Sequence, residues 1–473
     1  METRARSTGV SRRSGPFAGW LAADAWPCRI DVALYALLAF AIAAFSREFT
    51  WLHVRVSSSW PYLAGFGKPA SDSFETLRAA GLPIFVTEMV LALLVVCVAV
   101  RQRTATRSAA GDGWLDGSLV LWSLIGVYEL ARGFSAGPTA ALRDFAIVYY
   151  AAFLVLARAI CDSRRNVAVV CVAFWLGTVV SLTAAVLMHA DVGVLPHGGW
   201  PQRGDFLAGN YGLNFLVAAL VGAALWSRLG RRGRWILFVY LAFATFALVL
   251  TQQRGMIIAF AAGWSVLLVG RAVAGITLLA PWRMAAGAAA AGLILALARF
   301  GGGASAPGFD PVQQLIHKTG DTAVESATTG ELELTGTARF RRDAWAEAWR
   351  RFQRQPLRGE GFGQPFTFFD TGLQRMWTAD VRPHNAYLTV LYKMGVVGLA
   401  AFVLVHLAFY RSVWGALGRV GAPITGAAMW GLLSALVGMQ VYACANLLFE
   451  SPFLAVVYWS VMGLMTAVTR IEA

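Results

Sequence analysis

Long apolar runs, separated by short polar stretches, extend along almost the whole chain. Each run holds roughly 16–22 residues, about the number that an α-helix needs to cross the hydrocarbon core of a bilayer. A membrane barrel would instead show alternating strands of about ten residues. The pattern therefore predicts twelve membrane-spanning helices, near residues 30–46, 83–100, 114–131, 145–160, 167–187, 208–226, 235–250, 256–270, 284–300, 387–410, 424–445 and 452–469.

The composition agrees with this pattern, since 58% of the 473 residues are hydrophobic and the mean hydropathy is +0.58. We therefore predict an all-α polytopic membrane protein. Basic residues in short loops mark the cytoplasmic side of a membrane protein. Such residues cluster before the first helix and near residues 101–107, 158–165 and 228–234. Connections poor in basic residues alternate with them, at 188–207, 251–255 and 446–451.

This alternation places both termini in the cytoplasm and one large loop in the periplasm, between helices nine and ten. The predicted parts are a basic cytoplasmic tail at 1–29, helices one to nine at 30–300, the periplasmic loop at 301–383 and helices ten to twelve at 384–473. The first apolar run lacks a small-residue cleavage pattern, so we expect it to act as an uncleaved anchor.

Within the loop, residues 343–355 have the periodicity of an amphipathic helix, with Asp343 near its start and Pro356 after its end. Its apolar side carries Trp345, Trp349 and Phe352. Its expected polar side carries Arg350, Arg351 and Arg354. Such a helix is expected to lie along the membrane face or to cap a cavity.

The formal net charge is +14, and only three of the 40 basic residues are lysines. Positive-inside anchoring and a preference for arginine explain most of this charge. No soluble domain is present that would bind nucleic acid, so we predict no nucleic-acid partner. The arginines of the periplasmic loop need another explanation, because long loops are exempt from the charge rule.

Metal and cofactor chemistry is not predicted. The five cysteines include no CxxC pair, so we expect neither disulfides nor thiolate-bound metal. Glu331 and Glu333 form an acidic doublet of a kind that is common in loops. No glycine-rich phosphate-binding motif occurs.

Arginines stand at two places on the predicted periplasmic side, first as a single residue in the turn 251–255 and second as a cluster in the loop. In the tight turn 251–255, Arg254 stands between two apolar helices, where a charge is costly unless it faces a polar cavity or reaches the interface. In the loop, Arg339, Arg341 and Arg342 follow one another closely. Arginine makes forked hydrogen bonds to phosphate oxygens, so this cluster is suited to a pyrophosphate, although a solvated charge run remains the alternative.

His384 and Asn385 stand at the beginning of the tenth predicted helix, close in sequence to the arginine cluster of the loop. A neutral imidazole can accept a proton from a hydroxyl group near neutral pH. His384 is therefore a candidate general base, with Asn385 as an orienting or substrate-binding group. An ordinary interface histidine is the simpler alternative.

The spacing around this histidine is similar to the H-[NSQ]-x9-G-x-x-G signature of the O-antigen ligase and polymerase superfamily of bacterial envelope enzymes. Nine residues separate Asn385 from Gly395, and Gly398 completes the pattern. Upstream, the resemblance includes Gly336-Thr337-Ala338, Arg341, Trp345, Pro356, Gly359, Gly361-Phe362-Gly363 and Pro365-Phe366.

Two arginines are selected by this resemblance. An arginine commonly precedes the family's tryptophan by four positions, which favours Arg341 over its neighbours. The turn at Arg254 and Gly255 resembles the family's Ser-x-Arg turn, with Gln252 in the place of the serine. The clear resemblance covers roughly residues 250–400.

The resemblance implies an inverting, metal-independent glycan transferase of the bacterial inner membrane, with its active site facing the periplasm. The donor is a glycan on undecaprenyl pyrophosphate, and the acceptor is a sugar hydroxyl on lipid A-core, for a ligase, or on a second lipid-linked glycan, for a polymerase. The expected catalytic residues are His384, Arg341 and Arg254. The expected substrate-binding residues are Arg339, Arg342, Arg203, Asn385 and Asn210.

Ligase and polymerase both stay open, and protein O-oligosaccharyltransferases are related. A transporter or flippase of lipid-linked glycans is the alternative from another class, because acidic residues such as Glu88 and Glu129 fall in or near the spans. The chain shows no internal repeat of the kind found in many transporters, which favours an enzyme.

Overall fold

The computed structural model describes residues 29–45, 77–79, 82–84, 86–104, 113–189, 210–250, 254–301, 336–371, 374–377, 382–417, 423–451 and 453–472. Arg203, almost all of the predicted basic tail and residues 302–335 of the predicted loop lie outside these ranges. The predictions made for them are therefore not addressed by the fold.

α-Helices dominate the described part of the chain. They are α1 (Ile30–Phe45), α2 (Val86–Thr104), α3 (Gly113–Phe134), α4 (Pro138–Tyr149), α5 (Ala152–Ile160), α6 (Arg164–His189), α7 (Asn210–Leu225), α8 (Arg231–Leu250), α9 (Arg254–Ala274), α10 (Pro281–Gly301), α11 (Gly336–Arg354), α12 (Ala386–Leu417), α13 (Pro423–Ala443) and α14 (Leu454–Ile471). Two antiparallel hairpins accompany them, β1 (Leu77–Ala79) with β2 (Leu82–Ile84) and β3 (Phe368–Asp370) with β4 (Arg375–Trp377).

Every one of the twelve predicted spans overlaps a helix. By length and apolar composition, five of the described helices can cross a membrane, namely α6, α9, α12, α13 and α14. The number becomes six when α4 and α5, which are bent by 43°, are taken as one broken span. The helices α1 and α7 are shorter and apolar. The prediction of an all-α membrane protein is confirmed at this level.

Several local predictions were wrong. The amphipathic helix begins at Gly336 rather than near Asp343, because the arginines of residues 339–342 favour helix and extend it by two turns. The fourth predicted span is broken after Tyr149 and begins earlier, at Pro138, a residue suited to the first helical position. The two hairpins were not predicted, since each strand has only three residues.

The helices pack in sequence-distant pairs, with α1 against α6, α3 against α12, α5 against α14, and both α7 and α9 against α13. A cluster of buried aromatic rings supports α12 from two sides. Phe402 lies 5.4 Å from Trp122 of α3 and 4.9 Å from Phe449, measured between ring centroids. This packing fixes the helix whose beginning carries His384.

Ion pairs join helix ends that the distribution of basic loops assigns to the cytoplasmic side. Arg101 pairs with Asp31, and Arg164 pairs with Glu472 at 2.8 Å. At the opposite ends, the backbone at Gly133 lies directly against Phe362, so close that a Cβ atom on Gly133 would lie 2.0 Å from its carbonyl oxygen. Polar contacts occur at these ends as well, where Arg132 donates to the carbonyl oxygen of Gly359 at 2.5 Å and Arg382 lies 3.3 Å from Asp144, so the polar contacts fall into two groups.

Candidate active site

α11 lies against the segment that carries His384. The indole nitrogen of Trp345 donates a hydrogen bond to the carbonyl oxygen of Pro383 at 2.6 Å. The ring of Phe340 contacts the imidazole of His384 edge to face, with 5.9 Å between the centroids. Arg341 stands between these two anchoring residues on the same helix, so the contacts bring it to the neighbourhood of His384.

Arg341 is half-buried, and this burial lowers the pKa of its guanidinium below the ordinary value for arginine. The nearby Tyr442, at the end of α13, acts electrostatically in the opposite direction. The group nevertheless keeps its charge at neutral pH, because arginine titrates far above that range. A partly dehydrated cation of this kind binds an anion more strongly than an exposed one does.

The beginning of α9 meets the same end of α13. A Cβ atom on Gly255 would lie 3.4 Å from the Nδ2 atom of Asn446 and 4.0 Å from the ring of Tyr442. Arg254 is the first residue of α9, although its side chain lies outside the described part. The elements that carry Arg254 and Arg341 therefore converge on Tyr442.

His384 has a left-handed backbone, with φ of 51°, immediately before α12. Residues other than glycine adopt that conformation in only a few per cent of cases, and those that do cluster at functional sites. Asn385 follows as the helix cap, because its Oδ1 atom accepts a hydrogen bond of 3.0 Å from the amide of Leu388. Asn385 was predicted to orient His384 or to bind substrate, and its Oδ1 atom is engaged in capping α12.

The neighbours of Arg341 have different surroundings. Arg342 pairs with Asp343 at 2.8 Å, donates to the Oγ1 atom of Thr371 at 2.9 Å, and leaves 54% of its side chain exposed. Burial raises the pKa of Asp343, but hydrogen bonds from Thr371 and Arg342 outweigh it and lower the pKa overall. Arg339 is half-buried, one helical turn before Arg342.

The remaining predicted substrate-binding residue in the described part, Asn210, is the first residue of α7. Its side chain lies outside the described part. α7 and α9 both pack against α13, so Asn210 and Arg254 begin two helices that share a neighbour.

Arg351 was expected on the polar side of α11, and this was wrong. Its side chain is only 10% exposed and pairs with Glu347 at 2.8 Å and with Glu360 at 2.9 Å. It also donates to the carbonyl oxygen of Pro365 at 2.9 Å. The loop after α11 folds back over this face, so Arg351 holds the loop and the helix together.

The glycines of the family signature shape the backbone. Gly395 interrupts α12 with φ of 65°, and a Cβ atom there would lie 2.3 Å from the carbonyl oxygen of Leu357. Gly359 has φ of 67°, and its Cβ atom would lie 2.4 Å from the carbonyl carbon of Lys393. The loop therefore crosses α12 in backbone contact, which only glycine permits at these positions.

Sequence reasoning missed a buried group of charges beside His384. Asp144 of α4 accepts from the Nζ atom of Lys393 at 2.5 Å and lies 3.3 Å from the guanidinium of Arg382. Arg382 also pairs with Glu450. These residues come from three distant parts of the sequence, around positions 144, 382–393 and 450, and none of them belongs to a local motif that would have revealed the group.

Helices long and apolar enough to cross a membrane, with Arg341 and His384 carried by adjoining elements at one end of them, define a multi-pass membrane protein with a polar site at the helix ends. Residues 237–403, just over a third of the chain, match the family described as O-Antigen ligase. The matched range contains Arg254, Arg341 and His384. A search of curated protein sequences found no match to the chain.

The predicted resemblance to the O-antigen ligase and polymerase superfamily is thereby confirmed. At a coarse level this match supports an enzyme of glycan transfer in a bacterial membrane, of the ligase or polymerase type.

Proposed function

We propose that the protein transfers a glycan from undecaprenyl pyrophosphate to the hydroxyl group of an acceptor sugar at the periplasmic face of the inner membrane. The observation that supports this best is the anchoring of α11 beside His384, through Trp345 on Pro383 and Phe340 on the imidazole. These contacts hold the helix that carries the half-buried Arg341 against the segment that carries a potential proton acceptor, which supports the proposal.

In the proposed reaction, the acceptor oxygen attacks the anomeric carbon of the donor while the bond from that carbon to pyrophosphate breaks. A single displacement of this kind inverts the anomeric configuration. Arg341 and Arg254 stabilise the negative charge that develops on the leaving pyrophosphate, and they do so more strongly in a dehydrated site. Because these cations are built into the protein, the proposal requires no metal ion.

His384 accepts the proton of the attacking hydroxyl group in this mechanism. Arg339, Arg342 and Arg203 are proposed to hold other oxygens of the donor, together with Asn210. Asn385 is proposed to act mainly through the placement of His384, since its Oδ1 atom caps α12.

We further propose twelve membrane spans, cytoplasmic termini and a periplasmic segment 301–383. The sorting of polar contacts into two groups supports this arrangement. The first group consists of ion pairs at helix ends assigned to the cytoplasm, namely Arg29 with Asp31 and Asp162, Arg101 with Asp31, and Arg164 with Glu472. The lipid tail of the donor would then remain in the bilayer, with the pyrophosphate at the membrane edge beside Arg341.

The test is transfer by the purified protein in detergent, supplied with glycan on undecaprenyl pyrophosphate, with and without lipid A-core. Glycan on lipid A-core identifies a ligase, and a ladder of longer glycans on the carrier identifies a polymerase. His384→Ala and Arg341→Ala should abolish either product, whereas Arg354→Gln, an exposed change at the end of α11, should not.

Absence of both products with a competent donor would refute the transferase and leave transport of the same lipid-linked glycan to be measured in vesicles. Glycan on a protein hydroxyl would instead identify an O-oligosaccharyltransferase. Full transfer by both alanine variants would show that these residues are not the active site.

A further inference from the structure

Four charged side chains form a buried ion network beside the proposed active site: Asp144, Arg382, Lys393 and Glu450. Lys393 contacts Asp144 at 2.5 Å, Arg382 contacts Asp144 at 3.3 Å, and Arg382 pairs with Glu450. The amide of Gly363 donates a further hydrogen bond to Asp144 at 2.8 Å. Two acids and two bases are present, so the formal charge of the ion network is zero.

The burial of these groups gives the ion network a defined geometry. Side-chain exposure is 3% for Lys393, 7% for Asp144, 17% for Arg382 and 3% for Glu450. Buried charges are tolerated only when they are paired, because each has lost its hydration. Displacement of Asp144 would take from Lys393 its partner in the ion network, and displacement of Arg382 would take from Glu450 its partner, so these two residues hold the ion network together.

The ion network fixes the segment that carries His384. Arg382 lies two residues before it, and the intervening Pro383 accepts the hydrogen bond from Trp345. Asn385, on the other side, caps α12. His384 is thus held in its left-handed conformation between residues that are each tied to a different element.

The ion network also reaches the other side of the site. Glu450 belongs to the connection from α13 to α14, and α13 ends near Tyr442, which acts electrostatically on Arg341. The contact from Arg382 to Glu450 therefore ties the segment of His384 to the element that borders Arg341. Loss of this contact would release the segment of His384 from the element that borders Arg341.

We propose that Arg382 is a positioning residue, which Asp144 and Glu450 hold so that the imidazole of His384 faces the acceptor hydroxyl group. This inference rests on the proposed function. A displacement of about 1 Å in a catalytic group can lower a rate roughly a hundredfold without touching the substrate. Loss of the tie should therefore lower kcat and leave the KM for the donor almost unchanged.

The experiment compares Arg382→Gln, Glu450→Gln and the double variant with wild type, using transfer from the lipid-linked donor and thermal unfolding in detergent. Each single variant should lose roughly tenfold to a hundredfold in kcat, with KM within about twofold. The double variant should lose no more than the worse single variant, because the two residues act as one unit. Arg354→Gln is the matched control for loss of an arginine.

Arg382→Lys keeps the positive charge and covers the case in which Arg382→Gln does not fold. It should fold and show the same selective loss of kcat, since ammonium cannot contact both acids as a guanidinium does. A raised KM with unchanged kcat would overturn the proposal, because Arg382 would then bind the donor. A wild-type kcat in folded variants would also overturn it. So would a loss of kcat in the double variant that equals the two single losses combined. Failure of the proposed function is distinct, since wild type itself would then make no product.

Discussion

The indole nitrogen of Trp345 and the carbonyl oxygen of Pro383 are joined by a hydrogen bond of 2.6 Å across 38 residues of sequence. This bond ties the amphipathic helix α11 to the segment that carries His384. Trp345 and Arg341 are one turn apart, so the same bond sets the position of the proposed pyrophosphate-binding arginine. Several measurable consequences depend on this relationship.

Trp345→Phe removes the hydrogen bond and keeps most of the apolar contact. We expect transfer to fall about threefold to thirtyfold, because a hydrogen bond is worth roughly 0.5–1.5 kcal/mol and its loss also displaces Arg341. The measurement is the initial rate of transfer, compared with that of the control variant Trp349→Phe. Trp349 stands one turn further along α11 and is 48% exposed. Equal rates for the two variants would mean that the bond does not matter to the site.

Arg341→Lys keeps the charge and removes the forked donor. The forked geometry matters for a pyrophosphate, so we expect at least a tenfold loss of transfer even though the site remains positive. Arg354→Lys, at the exposed end of α11, is the control for replacing an arginine of this helix by lysine. If Arg341→Lys transfers glycan like wild type, the residue acts only as a point charge.

Arg351→Gln tests the buried pairing that holds α11 to its following loop. Glu360 would lose its ion pair with Arg351 and Glu347 would keep only Arg350, and leaving a buried charge uncompensated costs roughly 3–5 kcal/mol. The neighbouring Arg350, 60% exposed, provides the matched variant Arg350→Gln. Thermal unfolding should separate the two clearly, and similar midpoints would show that Arg351 is not a structural tie.

Gly395→Ala tests the close crossing of α12 by the loop at Leu357. The left-handed conformation alone costs roughly 1–3 kcal/mol for a residue with a side chain, and the overlap with a carbonyl oxygen adds to it. Gly117→Ala in α3 is the control, since nothing lies within 4 Å of a Cβ atom there. We expect a large loss of folded protein for the first variant and none for the second. Normal yield and unfolding temperature for Gly395→Ala would contradict the crossing.

The sequence predicted the helical segments well because apolar runs of membrane length are a strong local signal. The periodicity of Trp345 and Trp349 likewise identified α11. The arginine selected by the family spacing, Arg341, lies on the helix anchored to the segment of His384. Whether these residues catalyse transfer stays a prediction.

What the sequence could not predict depends on contacts between distant residues. Lys393 and Asp144 are 249 positions apart, and neither stands in a motif that signals a partner. The burial of Arg351 requires the loop after α11 to fold back, which periodicity within the helix cannot reveal. The three-residue strands β3 and β4 are too short to leave a pattern of their own.

The central claim is that Arg341 holds the donor while His384 accepts the proton, and a single-turnover experiment with His384→Gln tests it most directly. Radiolabelled lipid-linked glycan would be bound first, its affinity measured, and the acceptor then added. We predict wild-type affinity for the donor and transfer slower by roughly a hundredfold to ten-thousandfold. Transfer at the wild-type rate from equally bound donor would contradict the account.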